Sequence, residues 1–368
     1  MARYASHLAH HQEAVTAVEV AADHVDHDLR GSSPSLVVVM ASDALRHDAA
    51  DLRDAVARRY PDARIVGSVV PGGVIGAGEE AESGAAVSLW AADLPAEAVD
   101  VRIVAGPDDL PDDGGVLVLL ADPFSVDADR LLHDADERGI GVVGGFTGGH
   151  GPGGARLIAD GRVVESGAVG VRVALPGVRA VVSQGARPIG SDLVVTRAEG
   201  NVVVELAGRP AVEQLHALLE TLGAEDLRLA REGLLGGLVV DENQPDYDVG
   251  DFLVRTLLGV DPGSGGVAIA AEPRVGQTFR FHVRDATGAG ADLRRALGEV
   301  PTPAGGLLLF ACNGRGRRMF GVRDHDAGVV AEVLGVPVAG AFCQGELGPV
   351  AGVNHVHAFT ATLAAFPA

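Results

Sequence analysis

Between Tyr4 and Leu29, the residues Leu8, Val15, Val18, Ala22 and Val25 recur at roughly helical spacing among polar positions, which predicts one amphipathic helix stopped by Gly31 and Pro34. The uninterrupted apolar run Leu36–Met40 suits a buried strand, and Ser42 or Asp43 is placed to cap a following helix that reaches about Arg59. Ile65–Val70 predicts the next strand, leading into a glycine loop from Pro71 to Gly76. Further strands are expected at Ala85–Ala91, Val101–Val104 and Val116–Leu120, then a helix over Asp127–Arg138. Val142 and Val143 run into the glycine-rich stretch Gly144–Gly151, which predicts a loop. From Arg156 to Val204 short β-rich runs alternate with turn residues as in an antiparallel meander, with Asp160-Gly161 the clearest hairpin signal.

Pro210 opens a helix to about Leu222, in keeping with proline's fit to the first helical turn. Beyond it the pattern predicts strands at Leu235–Val240, Phe252–Leu258, Val267–Ile269, Thr278–Val283, Leu307–Ala311, Val336–Phe342 and His357–Phe366. Helices are expected at Gly288–Leu297 and Asp326–Leu334. No short-period repeat or low-complexity linker is visible. The reading divides the chain into an N-terminal helix (1–30), a first domain (31–209) and a second (210–368), of class α+β. It comprises two mixed-sheet halves with helices on their outer faces and a ligand pocket where the glycine loops meet.

Composition narrows the function. A length of 368 residues suits two domains, and with 47% hydrophobic but only 4% aromatic residues the core must be filled by small aliphatic side chains around 51 glycines. The formal charge of −21 disfavours nucleic-acid backbones and anionic membrane surfaces. All 29 basic residues are arginine, which removes a Schiff-base lysine, a pyridoxal-phosphate anchor and a P-loop lysine together. Two cysteines make no disulfide framework or zinc site, and no apolar signal core or 18-residue apolar run occurs. The expectation is a soluble cytoplasmic protein without nucleic-acid or membrane partners.

Two sets of motifs then carry a resemblance. In the first half they are Val37–Ser42, Val66-Gly67-Ser68 through Gly73–Gly76, Gly144-Gly145, Gln184–Gly190 and Glu205–Ala211. In the second they are Phe252–Arg255, Val275–Gln277, Phe281–Asp285, Cys312–Gly316, Gly345–Pro349 and His357–Thr360. In this order they resemble the FIST-N and FIST-C domains of the F-box and intracellular signal transduction family. The resemblance implies a sensory module for a small ligand, amino acids among the suggestions, with one branch associated with haem and nitric-oxide sensing. No residues remain for a fused output domain, so output through a separate, unknown protein signalling partner is expected.

The candidate ligand-binding residues are Arg255, Cys312, Asn313, Arg315, Cys343, Glu346 and His357. A glycine-rich turn after the strand Leu307–Ala311 can aim N–H groups and the Arg315 guanidinium at an anion, or it can be a tight turn with solvated arginines; Arg317 and Arg318 read as surface charge. Cys312 and Cys343 each end a strand beside a glycine loop and are either reactive thiols or inert buried ones. Glu346, on a constrained loop, either holds an ammonium group or pairs with Arg255 or Arg315. Arg255 follows an apolar strand and requires a partner if buried. His357 begins the last strand on the same face as His355 and matches the family motif.

Gly72, Gly73, Gly144 and Gly145 read as turn formers, with Thr147 and His150 at a pocket rim. The sets His7, His10, His11 and His24, His27, Asp28 have metal-catching spacing on a helix face, or are solvated surface. No cofactor is expected, with haem as the minor alternative. The function expected is a non-catalytic small-ligand sensor; the alternatives are a cysteine-dependent enzyme acting on a small carboxylate and a protein-interaction scaffold.

Overall fold

Three times along the chain an apolar strand is followed by a helix and a second strand parallel to the first. The strands Leu36–Ser42 and Arg64–Val70 flank the helix Ala49–Arg59; Gly115–Ala121 and Ile140–Phe146 flank Ala128–Glu137; Ala304–Cys312 and Val338–Cys343 flank His325–Val333. A parallel pair needs such a crossover, and helices on the sheet faces explain why these strands are apolar on both sides. In the computed structural model of the chain, residues 2–112 and 114–368 are described.

The chain divides into two compact units that are not consecutive halves. The larger takes the chain as far as Val182, then Leu293–Val356 and Ala361–Ala368; the smaller is Ser183–Asp292 with His357–Thr360. In the larger unit each parallel pair is the centre of a six-stranded mixed sheet whose other neighbours are antiparallel. Each copy of the motif also sends out a hairpin, and the hairpins pair cyclically. Val74–Gly76 with Glu79–Ala81 joins the third copy's sheet, Leu157–Ala159 with Arg162–Val164 joins the first's, and Glu346–Val350 with Val353–His357 joins the second's.

The repetition reaches single residues. Gly67, Gly144 and Gly340 face Val39, Leu119 and Leu309 across the three parallel pairs. A Cβ at these glycines would lie 2.0, 2.0 and 1.7 Å from the facing carbonyl oxygens, so each pair closes only over a hydrogen atom. The repeat is hidden in the sequence because most of the smaller unit, Ser183–Asp292, separates the second copy from the third. Its trace is the correspondence of Val37–Ser42, Leu117–Asp122 and Leu307–Cys312.

The smaller unit is a closed antiparallel barrel. Ala186–Glu199 pairs with Val202–Leu206 on one side and Thr278–Arg284 on the other, and Gly266–Ile269, Phe252–Asp261 and Leu234–Val239 complete the ring. The longest strand bends at a register irregularity containing Gly190, whose φ is +68°, and so serves both sides of the ring. Ile189, Val195, Leu206, Leu238, Phe279 and Phe281 belong to its core. Closure leaves no free edge in the ring.

The α+β class, with mixed sheets and flanking helices, is the architecture observed. Several element expectations are corrected. The segment read as one helix from Tyr4 is the strand Arg3–His10 followed by the helix Ala14–Leu29, because Tyr4, Ala5, Leu8 and Ala9 are buried in a sheet position rather than on a helix stripe. Val142–Gly145, read as leading into a loop, lies within the strand Ile140–Phe146; the glycines serve close strand approach. Glu346 begins a strand, and His357 ends the strand Val353–His357 while the last strand starts at Thr360. The helix Ala224–Glu232 was not anticipated. The Asp160-Gly161 hairpin is present, with both residues at positive φ. Among the described residues no helix is long and apolar enough to cross a membrane.

Candidate functional site

The third copy of the motif concentrates polar chemistry at the ends of its two parallel strands. Cys312 and Cys343 are direct partners across that pair, where the first copy pairs Ser42 with Val70. Just beyond, the Asn313 N–H donates to the Cys343 carbonyl at 2.8 Å, and the exposed Asn313 lays its Oδ1 over Gly72, only 1.8 Å from where a Cβ would stand. Gly72 therefore admits the asparagine rather than merely forming a turn.

Arg315 is not a solvated turn residue. Its side chain is 0% exposed and grips Asp326 bidentately, Nε to Oδ2 at 2.6 Å and Nη2 to Oδ1 at 2.9 Å. Burial opposes the guanidinium charge, but Asp326 and, less strongly, Glu346 more than restore it and raise its pKa. Burial likewise pushes the Asp326 carboxyl up, while the Arg315 charge and hydrogen bond, helped by His325, reverse this and bring it down to about 2. The guanidinium carbon also lies 5.2 Å from the Phe320 ring centroid, and Phe320 stacks on His325 at 3.4 Å. One donor, Arg315 Nη1, is buried with no hydrogen-bond partner.

Two carboxylates from the first copy's hairpin secure this region. Glu80 Oε1 accepts the N–H groups of Asp326 and Ala327 at 2.8 and 2.9 Å, satisfying the N-terminus of the helix His325–Val333. Glu82 Oε1 accepts the Arg317 N–H at 2.8 Å, doing the same for the short helix Gly316–Phe320. Burial holds the Glu80 carboxyl up at about 7 despite these bonds. Asp326, Glu80 and Glu82 were not among the sequence candidates. Asp326 was marked only as the start of a predicted helix, and nothing local marks Glu80 or Glu82, because their targets lie more than two hundred residues away.

Glu346 is fully buried and faces Gly145 across the antiparallel pair. The equivalent hairpin positions in the other two copies are Val74, facing Ala341, and Leu157, facing Ser68; both are buried apolar core residues. Only the third hairpin places a charge there. Glu346 acts electrostatically on both Arg315 and Cys343. Burial first, and then the Glu346 charge, raise the Cys343 thiol well above its ordinary pKa, so this cysteine is held as a neutral thiol. The Gly314 N–H points at Cys312 Sγ, 3.4 Å away.

Of the seven candidates, Cys312, Asn313, Arg315, Cys343 and Glu346 thus belong to the larger unit. Arg255 and His357 belong to the smaller one, where Arg255 Nη1 donates to the Val254 carbonyl at 3.1 Å and His357 is buried. Thr147 is fully buried, whereas His150 is exposed and bonds Asp43 at 3.2 Å. His7 and His10 lie on a strand rather than a helix, and the His7 ring stacks on His24 at 3.8 Å. No group of potential metal ligands occurs among the described residues.

Fold and site together define a three-copy α+β module with an inserted β-barrel and a buried polar cluster in its third copy. The chain matches the FIST N domain over residues 35–209 and the FIST C domain over residues 211–349. It is 42% identical to an uncharacterized protein of Mycobacterium bovis across 95% of each chain, and to uncharacterized proteins of Mycobacterium tuberculosis at the same identity over 94–95% of each. This protein belongs to the FIST family.

Proposed function

We propose that the protein is a cytoplasmic sensor of a small carboxylate-bearing ligand, an amino acid among the candidates, and that it signals through a separate protein partner without catalysing a reaction. The observation that carries this reading is Glu346. A buried carboxylate costs several kcal/mol unless compensated, yet it stands where the sister copies place Val74 and Leu157. A charge kept at a core position of one copy alone is the kind of local inconsistency that marks function. The unpartnered Arg315 Nη1 supplies a donor for a ligand carboxylate in the same cluster. Arg255 and His357 enter the reading from the family motifs alone. The neutral Cys343 thiol weighs against a cysteine nucleophile.

The test is thermal stability in the presence of amino acids and small carboxylates, for the parent and for Glu346→Leu, which copies the sister position. A specific ligand at a hundred times its Kd adds about 2.7 kcal/mol to the parent's stability. Glu346→Leu is expected to fold and to lose that response. A parent indifferent to every probe, or a Glu346→Leu protein that responds equally, refutes the reading. Haem has no part in it; a Soret band that copurifies with the protein and vanishes in His357→Ala would reverse that.

A further inference from the structure

In the barrel unit, several buried polar atoms lack a hydrogen-bond partner, and two of them can be assigned a chemical role. His282 is 0% exposed, and its Nδ1 lies 3.0 Å from the Arg280 carbonyl oxygen. A carbonyl only accepts, so Nδ1 carries the proton and Nε2 is left as a bare lone pair. Burial lowers the ring's pKa to about 4, so the ring is neutral at neutral pH. Nε2 has no partner.

Gln184 repeats the situation. Its Nε2 donates to the Phe252 carbonyl at 2.7 Å, which fixes the amide orientation and leaves Oε1 as a second buried acceptor without a partner. The Asp292 carboxylate accepts the Gln184 main-chain N–H at 2.6 Å, so the residue is held at its backbone as well as at its side-chain amide. His282 meets the same Phe252, ring to ring, at 5.0 Å, and Gly237 lets the two rings pack, since a Cβ there would lie 2.3 Å from His282 Cε1. Buried acceptors without donors are expensive, and chains retain them where something else supplies the donor.

We infer that Gln184 and His282 form a second recognition point, in the barrel unit, for a neutral small molecule that presents hydrogen-bond donors, a carboxamide or an alcohol. A neutral donor fits better than an ammonium group because Arg280 and Arg284 flank His282 at the same-face positions of its strand. This inference is independent of the carboxylate reading for the larger unit.

The test is 15N NMR of the histidine-labelled full chain, titrated with propionamide and, separately, with methyl propionate, which matches it in shape but has no N–H. The His282 resonance is identified by its loss in His282→Phe or, should that variant not fold, by its perturbation in Gln184→Met. The expected result is an unprotonated Nε2 that shifts saturably with propionamide and stays fixed with the ester, with affinity at least tenfold weaker in Gln184→Met. A proton on Nε2, an equal response to both compounds, or no response to propionamide because ordered water alone serves these acceptors, overturns the inference. Neither probe carries a carboxylate, so failure here leaves the Glu346 reading intact.

Discussion

Replacing Arg315 with alanine should remove the partner of a carboxylate that has no access to water. Asp326 is 0% exposed, and its pKa falls from 3.8 to about 2 because Arg315 outweighs the effect of burial. Each pKa unit corresponds to about 1.4 kcal/mol, so this linkage alone contributes about 2 kcal/mol. A depressed carboxyl gives stability that is present above pH 3.8 and lost as pH falls toward 2. In Arg315→Ala the sign reverses. Burial now holds the Asp326 proton in the folded state, and the fold loses stability as pH rises above the unfolded value. The total cost of breaking such a buried pair is about 3–5 kcal/mol. Guanidinium denaturation at pH 5 and pH 8 should therefore show a deficit that is larger at pH 8. The double variant Arg315→Met/Asp326→Leu should recover most of it, since neither charge is then stranded. A deficit below about 1 kcal/mol, or one independent of pH, would refute the argument and return Arg315 to the role of a solvated turn residue.

Three other outcomes follow from the same packing. Glu80, raised from 4.5 to about 7, costs the fold stability as pH rises between those values; Glu80→Gln keeps the acceptor for Asp326 and Ala327 and should abolish that slope, about 3 kcal/mol in all, in melts across pH 4–8. Gly340→Ala would force a Cβ to within 1.7 Å of the Leu309 carbonyl and should cost more than about 3 kcal/mol in denaturant titrations, whereas Gly141→Ala, whose nearest neighbour lies 3.9 Å off, should stay close to the parent. Asn354 accepts the Val142 N–H and donates to the Ile140 carbonyl and to Asp136, tying the third copy's hairpin to the second copy's sheet. Asn354→Ala should lower stability by about 2–3 kcal/mol, and an unchanged midpoint would show that water replaces these bonds.

Local patterning was enough to predict the α+β class, the first and third apolar strand–helix–strand segments and the Asp160-Gly161 hairpin, because burial on a sheet and positive-φ turns leave their mark within a few residues. The motif Cys312–Gly316 and the residues Cys343 and Glu346 were visible in the same way. Their partners were not. Asp326 meets Arg315 only after the chain has turned through Gly316–Phe320, and Glu80 reaches Ala327 across two hundred and forty-seven positions. The meaning of Glu346 depended on knowing that it shares a position with Val74 and Leu157, and that equivalence exists only in the cyclic pairing of hairpins. His282 lay inside the motif Phe281–Asp285 with no role of its own, because its tautomer is set by the Arg280 carbonyl that its Nδ1 meets only in the folded strand. Periodicity reports which face of an element is buried, so the sequence by itself determined most of the elements and the small-residue core; which charges, glycines and acceptors meet across distant segments was decided by tertiary pairing, which has no local signature.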